Sequence, residues 1–479
     1  MKTLASVRWA TAFPLHLGLC LALTGQPVAA QKSEDKLQAK ARAIHERAFT
    51  VDSHEDTPSE SLLNAAFDLA QDHTLQDGSQ VDLPKMKRGG LDAVFWVVYV
   101  GQGPRTPAGY ANIRQEAQAQ FDAIAATIKK YPTELALATT PAEALRVRKA
   151  GQRAVFIGIE NGYTIGQDLG LLQTYYNQGA RYITLCHSSN NDLCDSSTDP
   201  TGPEYQGLSQ LGRQAVQEMN RLGIMVDVSH TSDSTFYDVL KLSTVPVIAS
   251  HSASRALSDV PRNLTDDMVR ALAKKGGVVQ LNLYSPYVKT QVKTAERQAA
   301  EQALLAKYHI KNPLNVYALP APEKQQALAE YAQLEKQLPV PLATVQDAVN
   351  QIDHLVQVAG IDHVGIGSDF DGGTVLNGLA NVGDFPNLTL EPGTPGLLGP
   401  RPQQNLERQP VPGDARRGTR QKHAALRATI TAGASAAKLF ASCFASAPSF
   451  ISPLFLFAHE ALLLPACGCG AAAQCHPLY

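Results

Sequence analysis

Neither sign of charge is in excess in this chain: 42 Lys and Arg against 44 Asp and Glu leave a formal charge of −2. Nothing in that balance points to a nucleic-acid partner, which would call for a basic footprint. Cysteine is scarce where the chain is patterned. Residues 31–391 hold two, Cys186 and Cys194, which allow one bridge at most and read equally well as two buried thiols. No glycine-rich phosphate fingerprint follows the first apolar run, which argues against a doubly wound nucleotide-binding sheet. A long uninterrupted apolar stretch is also missing beyond the N-terminal segment. The nearest, "FISPLFLFAHEALLL" (450–464), is fifteen residues broken by Pro453, His459 and Glu460, short for a membrane span.

What is present reads as globular, with 44% apolar and 18% charged residues in 479, enough for one large α/β barrel or two to three ordinary domains. The first thirty residues have Lys2 and Arg8, a short apolar core, then Val28 and Ala30 as small residues. That order is a secretory signal with cleavage after Ala30, and it implies an exported protein, periplasmic or secreted. Cys20 would suit a lipoprotein signal, but the bulky Leu19 stands before it.

Short β-branched runs recur between amphipathic stretches. They are "AFTVDS" (48–53), "LDAVFWVVYV" (91–100), "RAVFIGI" (153–159), "ARYITLC" (180–186), "GIMVDVS" (223–229), "VPVIAS" (245–250), "GGVVQLNLY" (276–284) and "HVGIGS" (363–368). Eight strands alternating with helices predict a (β/α)8 TIM-type barrel. The residues directly after the strands carry the chemistry. The first strand runs into His54 and Asp56, the third into Glu160 and the fourth into His187. The fifth runs into His230, the sixth into His251 and the eighth into Asp369. Any one of these is ordinary as a capping or solvated loop residue. In a barrel, however, the C-terminal strand ends converge on one mouth, so the seven are expected in one small volume.

Burying that many ionisable groups is costly unless they are paired or bind a metal. Imidazoles mixed with carboxylates suit zinc or a similar first-row divalent ion. His54 and Asp56, at i and i+2, can point the same way onto one ion; His230 and His251, on adjacent strands, can chelate a second; Glu160 between them can offer one oxygen to each. Two ions about 3.5–4 Å apart can hold a hydroxide and polarise a carbonyl or phosphoryl oxygen. A single-ion site using part of this set is the alternative. Glu55, between the two ligands of the first strand, should face the other way.

The stretches "VDSHEDTP", "FIGIENG", "YITLCHSSNND", "VDVSHTSD", "ASHSASRALSDVPRNLTDD" and "DHVGIGSDFDGG" run in order over residues 47–391. Together they resemble the membrane (renal-type) dipeptidases, binuclear zinc peptidases on an amidohydrolase-like barrel. The resemblance implies that two Zn2+ ions are held by His54 and Asp56 and by His230 and His251, with Glu160 bridging. It implies that His187 holds the scissile carbonyl oxygen and that Arg262 pairs with the terminal carboxylate of a dipeptide. Asp369 would carry the proton from the attacking water to the leaving amine. Each role has a rival: Arg262 could pair with Asp266 or Asp267, with Arg255 taking its place; His187 could only support Glu160; Asp371 could replace Asp369. Tyr284 closes the seventh strand and is expected to wall the pocket or sit in the core. A related barrel hydrolase acting on another amide or lactam, and a peptide-binding relative without turnover, are the competing functions.

Residues 285–345 form an insertion in which "KTAERQAAEQALLAKY" and "PEKQQALAEYAQLEKQL" predict exposed helices, over the mouth or at a subunit contact such as a homodimer's. After Glu391 the pattern stops. "PGTPGLLGPRPQQNLERQPVPGDARRG" is rich in Pro and Gly, and Cys443, Cys467, Cys469 and Cys475 crowd the C-terminal remainder of the chain. Codons for Arg401–Arg416 can be chosen so that a one-base offset spells D-L-S-K-I-W-S-G-N-L-F-R-V-M-R-E, a plausible barrel-closing segment. The region 392–479 is therefore read as a frame-shifted or disordered tail. Resequencing the gene around codon 391 is expected to find a frame error; an intact frame with a protease-resistant tail overturns this reading.

Overall fold

Parallel strands covered on both faces read as near-continuous apolar runs, and β2 (Ala93–Tyr99, AVFWVVY) is buried from Ala93 to Val98. The computed structural model describes residues 39–390 apart from 40, 75–78, 312, 314, 315, 317 and 318. The expected secretory leader and the tail from 392 onward lie outside the described residues. With β2 come β1 (Val51–Glu55), β3 (Leu135–Leu137), β4 (Arg153–Glu160), β5 (Ala180–Thr184) and β6 (Met225–Asp227). β7 (Ile248–Ser252), β8 (Val278–Leu281) and β9 (Val364–Ile366) complete the set. The sheet order is β2-β1-β9-β8-β7-β6-β5-β4, every pairing is parallel, and β2 pairs with β4 to close an eight-stranded barrel. These eight are the strands expected from the sequence. β3 was not expected: it pairs with Arg153–Val155 on the edge of β4 that β5 takes over from Ile157.

Alternation sorts the barrel into two cores. Ala93, Phe95 and Val97 of β2, Ala154 and Phe156 of β4, Tyr182, Met225, Ile248 and Val278 form one apolar cluster inside the barrel. The opposite parity, including Val94, Trp96, Val98, Val155, Ile157, Ile159, Val226 and Val279, joins the apolar faces of the surrounding helices. Toward the C-terminal strand ends, the inward positions change from apolar to polar: Glu160 on β4, Thr184 on β5, Asp227 on β6, and Ser250 and Ser252 on β7, all buried. The lower half of the barrel is thus a packed plug and the upper half a polar cup.

The helices carry their own start and stop signals. Gln210–Leu222 begins at Ser209, whose hydroxyl accepts from Gly212 N at 2.9 Å, and ends at Gly223 with φ 82°, a left-handed position that suits glycine. Thr265 caps Asp266–Lys274, and Thr344 with Asp347 forms a capping box for Val345–Ala359. Within the insertion the helices Ala295–Lys307 and Ala321–Gln337 run antiparallel to each other, linked through Arg297–Glu335 and Lys307–Glu330. It has a small core of Tyr308, Val316 and Ala327, and Lys311 Nζ donates to Pro200 O, 2.5 Å away, in the loop after β5. No helix among the described residues is long and apolar enough to cross a membrane.

Because a Cβ in the left-handed region costs about 1–2 kcal/mol, Gly223→Ala should lower thermal stability. Gly101→Ala, where a Cβ meets nothing within 4 Å, should not; thermal denaturation of the two variants side by side checks this.

Candidate metal centre

Three strands reach the cup through a slip in register. On β1, Asp52 faces Val94 and Glu55 faces Trp96, so one extra residue is taken up across Ser53 and His54. On β7, Ala249 faces Val279 and Ser252 faces Leu281, with His251 in the slip. On β5 the same happens between Ala180 and Tyr182, opposite Ile157 and Gly158. Such bulges re-aim a side chain, and here they turn the two histidines into the cup. His230 and Asp369, past the ends of β6 and β9, are turned in by left-handed backbone at φ 68° and 64°. Non-glycine residues held there cost of order 1–3 kcal/mol and cluster at functional sites.

His54 Nε2 lies 3.6 Å from Glu160 Oε2, 3.8 Å from Asp56 Oδ1 and 4.0 Å from Asp369 Oδ1. The other Glu160 oxygen, Oε1, lies 3.0 Å from His230 Nε2 and 3.2 Å from His251 Nε2, and those two nitrogens are 3.0 Å apart. A ring nitrogen of His187 comes within 4.8 Å of ligand atoms on Glu160 and His230, without hydrogen-bonding Glu160. Asp56 and Asp369 converge above Gly372, where a Cβ would sit 2.4 Å from an oxygen of each. All seven strand-end residues therefore meet in one volume.

The donors fit a cation. His54 Nε2, Asp56 Oδ1 and Glu160 Oε1 are buried with no hydrogen-bond partner, a costly state that ligation relieves. Burial, then Arg262 for His230 and His54 for His251, pushes both rings well below the usual imidazole range, so they are neutral with lone pairs to offer. Burial also lowers His187. It raises Asp56 well above the carboxylate range, with the Glu160 and Asp369 charges adding to it, and lifts Asp369 to about 6 against the pull of His54. For Glu160 burial acts upward too, but His54, His187, His230 and His251 outweigh it and hold the carboxyl well below its ordinary value.

The rivals separate. Arg255 is spent on Asp233, with two contacts of 2.8 and 2.7 Å. Asp266 pairs with His354 at 2.8 Å and Asp267 with Arg270, so neither holds Arg262. Arg262, 3% exposed, donates from Nη1 to Ser252 Oγ at 3.0 Å and from Nη2 to His251 O at 2.8 Å, while Nε has no partner. Among the described residues no carboxylate pairs with it. Asp371 is turned away to Ser79 and Gln80 N. Glu55 faces the outside of the barrel, buried beside Asp52 and Trp96, as alternation required. Tyr284 stacks edge-on against Tyr287, 4.8 Å between rings, and Tyr287 lies 5.7 Å from the Arg262 guanidinium. Cys186 and Cys194 are buried free thiols, the Cys194 thiol pushed well up by burial with Cys186 beside it.

Sequence reasoning missed Asn282, whose Nδ2 donates to Asp369 Oδ2 at 3.0 Å and whose Oδ1 accepts from Tyr284 N at 2.6 Å. It also missed the polar residues inside the strands, Tyr182, Asp227 and Ser250. Their inward parity, shared with Glu160, was the available signal.

A closed parallel barrel with imidazoles and carboxylates clustered at its C-terminal mouth defines a metal-dependent hydrolase class. Residues 38–392 match the family model described as membrane dipeptidase (peptidase family M19), and the chain belongs to that family. It is a metallo-dipeptidase. It is similar to the dipeptidase verJ of Clonostachys rogersoniana, 34% identical over 321 residues covering 65% of this chain and 69% of the relative. An uncharacterised dipeptidase of Schizosaccharomyces pombe is 30% identical over 377 residues, covering 75% and 77%. Among solved structures, the probable dipeptidase PvdM of Pseudomonas aeruginosa superposes with a TM-score of 0.68 at 28% identity, covering 76% of this chain and 93% of that one.

Proposed function

We propose that the chain is a two-zinc dipeptidase that cleaves dipeptides with a free C-terminal carboxylate. The observation that carries the two-ion reading is the splitting of Glu160: Oε2 faces His54 and Oε1 faces the pair His230 and His251. His54 with Asp56 would hold one ion and His230 with His251 the other, with one oxygen of Glu160 available to each. Two ions held there would supply Lewis acidity toward the scissile carbonyl and would lower the pKa of a water toward neutral.

The chain's own groups supply the rest. Asp369 takes the water's proton on its carboxylate and passes it to the leaving amine nitrogen. Asn282 holds the other oxygen of that carboxylate in place. His187 donates to the carbonyl oxygen as negative charge develops on it. Arg262 recognises the substrate carboxylate. A guanidinium has five N–H donors, and the contacts to Ser252 and the His251 carbonyl leave Nε–H free. A buried cation with no counter-charge is costly, and an incoming carboxylate offsets that cost. Tyr284 walls the pocket beyond Tyr287.

Purified protein assayed on a panel of dipeptides and lactams, with and without chelator, tests the reading. Dipeptide turnover that survives exhaustive chelation, or turnover of lactams alone, sinks it. Asp369→Asn should keep its metal by elemental analysis yet lose about 10²–10⁴ in kcat, whereas His230→Ala should lose metal. Arg262→Ala should raise KM for a dipeptide and leave a C-terminally amidated substrate nearly unchanged.

A further inference from the structure

Two of the histidines in the cup have a fixed partner on the ring nitrogen that faces away from Glu160. His54 Nδ1 lies 2.8 Å from Tyr182 Oη, and Tyr182 Oη lies 3.1 Å from the Ser53 carbonyl oxygen. The Ser53 carbonyl can only accept; with the phenol proton directed to it, the phenol oxygen is left to accept from Nδ1–H of His54. The imidazole proton then sits on Nδ1, and Nε2 keeps its lone pair. Tyr182 reaches this position because β4 has a glycine opposite it: a Cβ on Gly158 would come 2.3 Å from Tyr182 Cζ.

His251 is held by a two-step chain. Its Nδ1 lies 2.8 Å from Ser250 Oγ, and Ser250 Oγ lies 2.6 Å from Asp227 Oδ2. Asp227 is fully buried and acts as acceptor throughout, taking the Thr184 hydroxyl as well as the backbone N–H groups of Ser229 and Ser250 at 3.0 and 2.9 Å. With the Ser250 proton directed to Asp227, the Ser250 oxygen accepts from Nδ1–H of His251, and Nε2 is again left bare. His230 has no such support: its Nδ1 is buried without a partner.

We propose that Tyr182, and Asp227 acting through Ser250, are positioning residues that fix the tautomers of His54 and His251 so that both rings present Nε2 to the metal centre. This rests on His54 and His251 being ligands, as proposed above. Partners of this kind, on the far nitrogen of a ligating imidazole, typically contribute about 10–100-fold in metal affinity. Asp227→Asn has a particular consequence. An amide NH2 facing Ser250 turns the hydroxyl round, so that it donates to His251 Nδ1 and drives the imidazole proton onto Nε2.

The test is zinc titration of metal-stripped protein against a competing chelator, with the melting temperature of the metal-stripped form measured in parallel. Tyr182→Phe, Ser250→Ala and Asp227→Asn should each bind zinc about 10–100-fold more weakly, and the cobalt-loaded forms should show altered visible spectra. Tyr182→Phe keeps the ring over Gly158 and so should leave the melting temperature of the stripped form close to the parent's. Unchanged zinc affinity in all three, while His54→Ala and His251→Ala lose metal, overturns the inference and spares the ligand assignment. Full metal retention in His54→Ala and His251→Ala overturns the ligand assignment itself, and the inference with it. A fall in melting temperature without a fall in affinity marks the residues as structural and also overturns it.

Discussion

Three carboxyl groups, Asp56, Glu160 and Asp369, each bring an oxygen within 4.0 Å of one nitrogen, His54 Nε2, in a place water barely reaches. Their mutual repulsion is the constraint around which the rest of the molecule is arranged. The barrel holds it, because each carboxylate or imidazole hangs from or just beyond a strand paired on both sides. The apolar plug of Phe95, Phe156, Met225 and Ile248 below keeps the strands from shearing. The neutral imidazoles of His230 and His251 and the anionic Glu160 arise from the same balance of burial and neighbouring charge.

Much of this was legible in the chain. The eight barrel strands could be read because strands covered on both faces are written as apolar runs of recognisable length, and the histidines and carboxylates of the cup because they stand directly after those runs. Leu135–Leu137 was not legible: three residues within "TELALATT", one of them exposed, leave no pattern long enough to see. The bulges on β1 and β7 were equally silent, since Ser53 and Ser250 are neither glycine nor proline and announce no irregularity. Tyr182 gives no signal in the sequence because an aromatic inside a strand is ordinarily core, and Asp227 gives none because it lies inside "VDVS" and not after it. The choice between Arg262 and Arg255 needed space: only the structure pairs Arg255 with Asp233 and leaves Arg262 buried without a counter-charge.

Where strain is accepted is also informative. His230, Asp369 and Asn161, the residue after Glu160, all sit at positive φ. Asn161 is held there by contacts that tie three loops together: Nδ2 to Val100 O at 3.1 Å, and Oδ1 to Tyr163 N and Asn191 Nδ2, both at 3.1 Å. The chain gives up local comfort at the rim of the cup and recovers it through the surrounding packing.

The bulges make chain length itself a functional quantity. Side chains alternate along a strand, so losing one residue between Asp52 and Glu55, or between Ala249 and Ser252, would restore regular pairing with the neighbouring strand. It would also move the side chains beyond the deletion to the other face of the strand, taking the histidine away from Glu160. A one-residue deletion there repairs the sheet at the expense of the cup, so at these two points the number of residues matters as much as their identity.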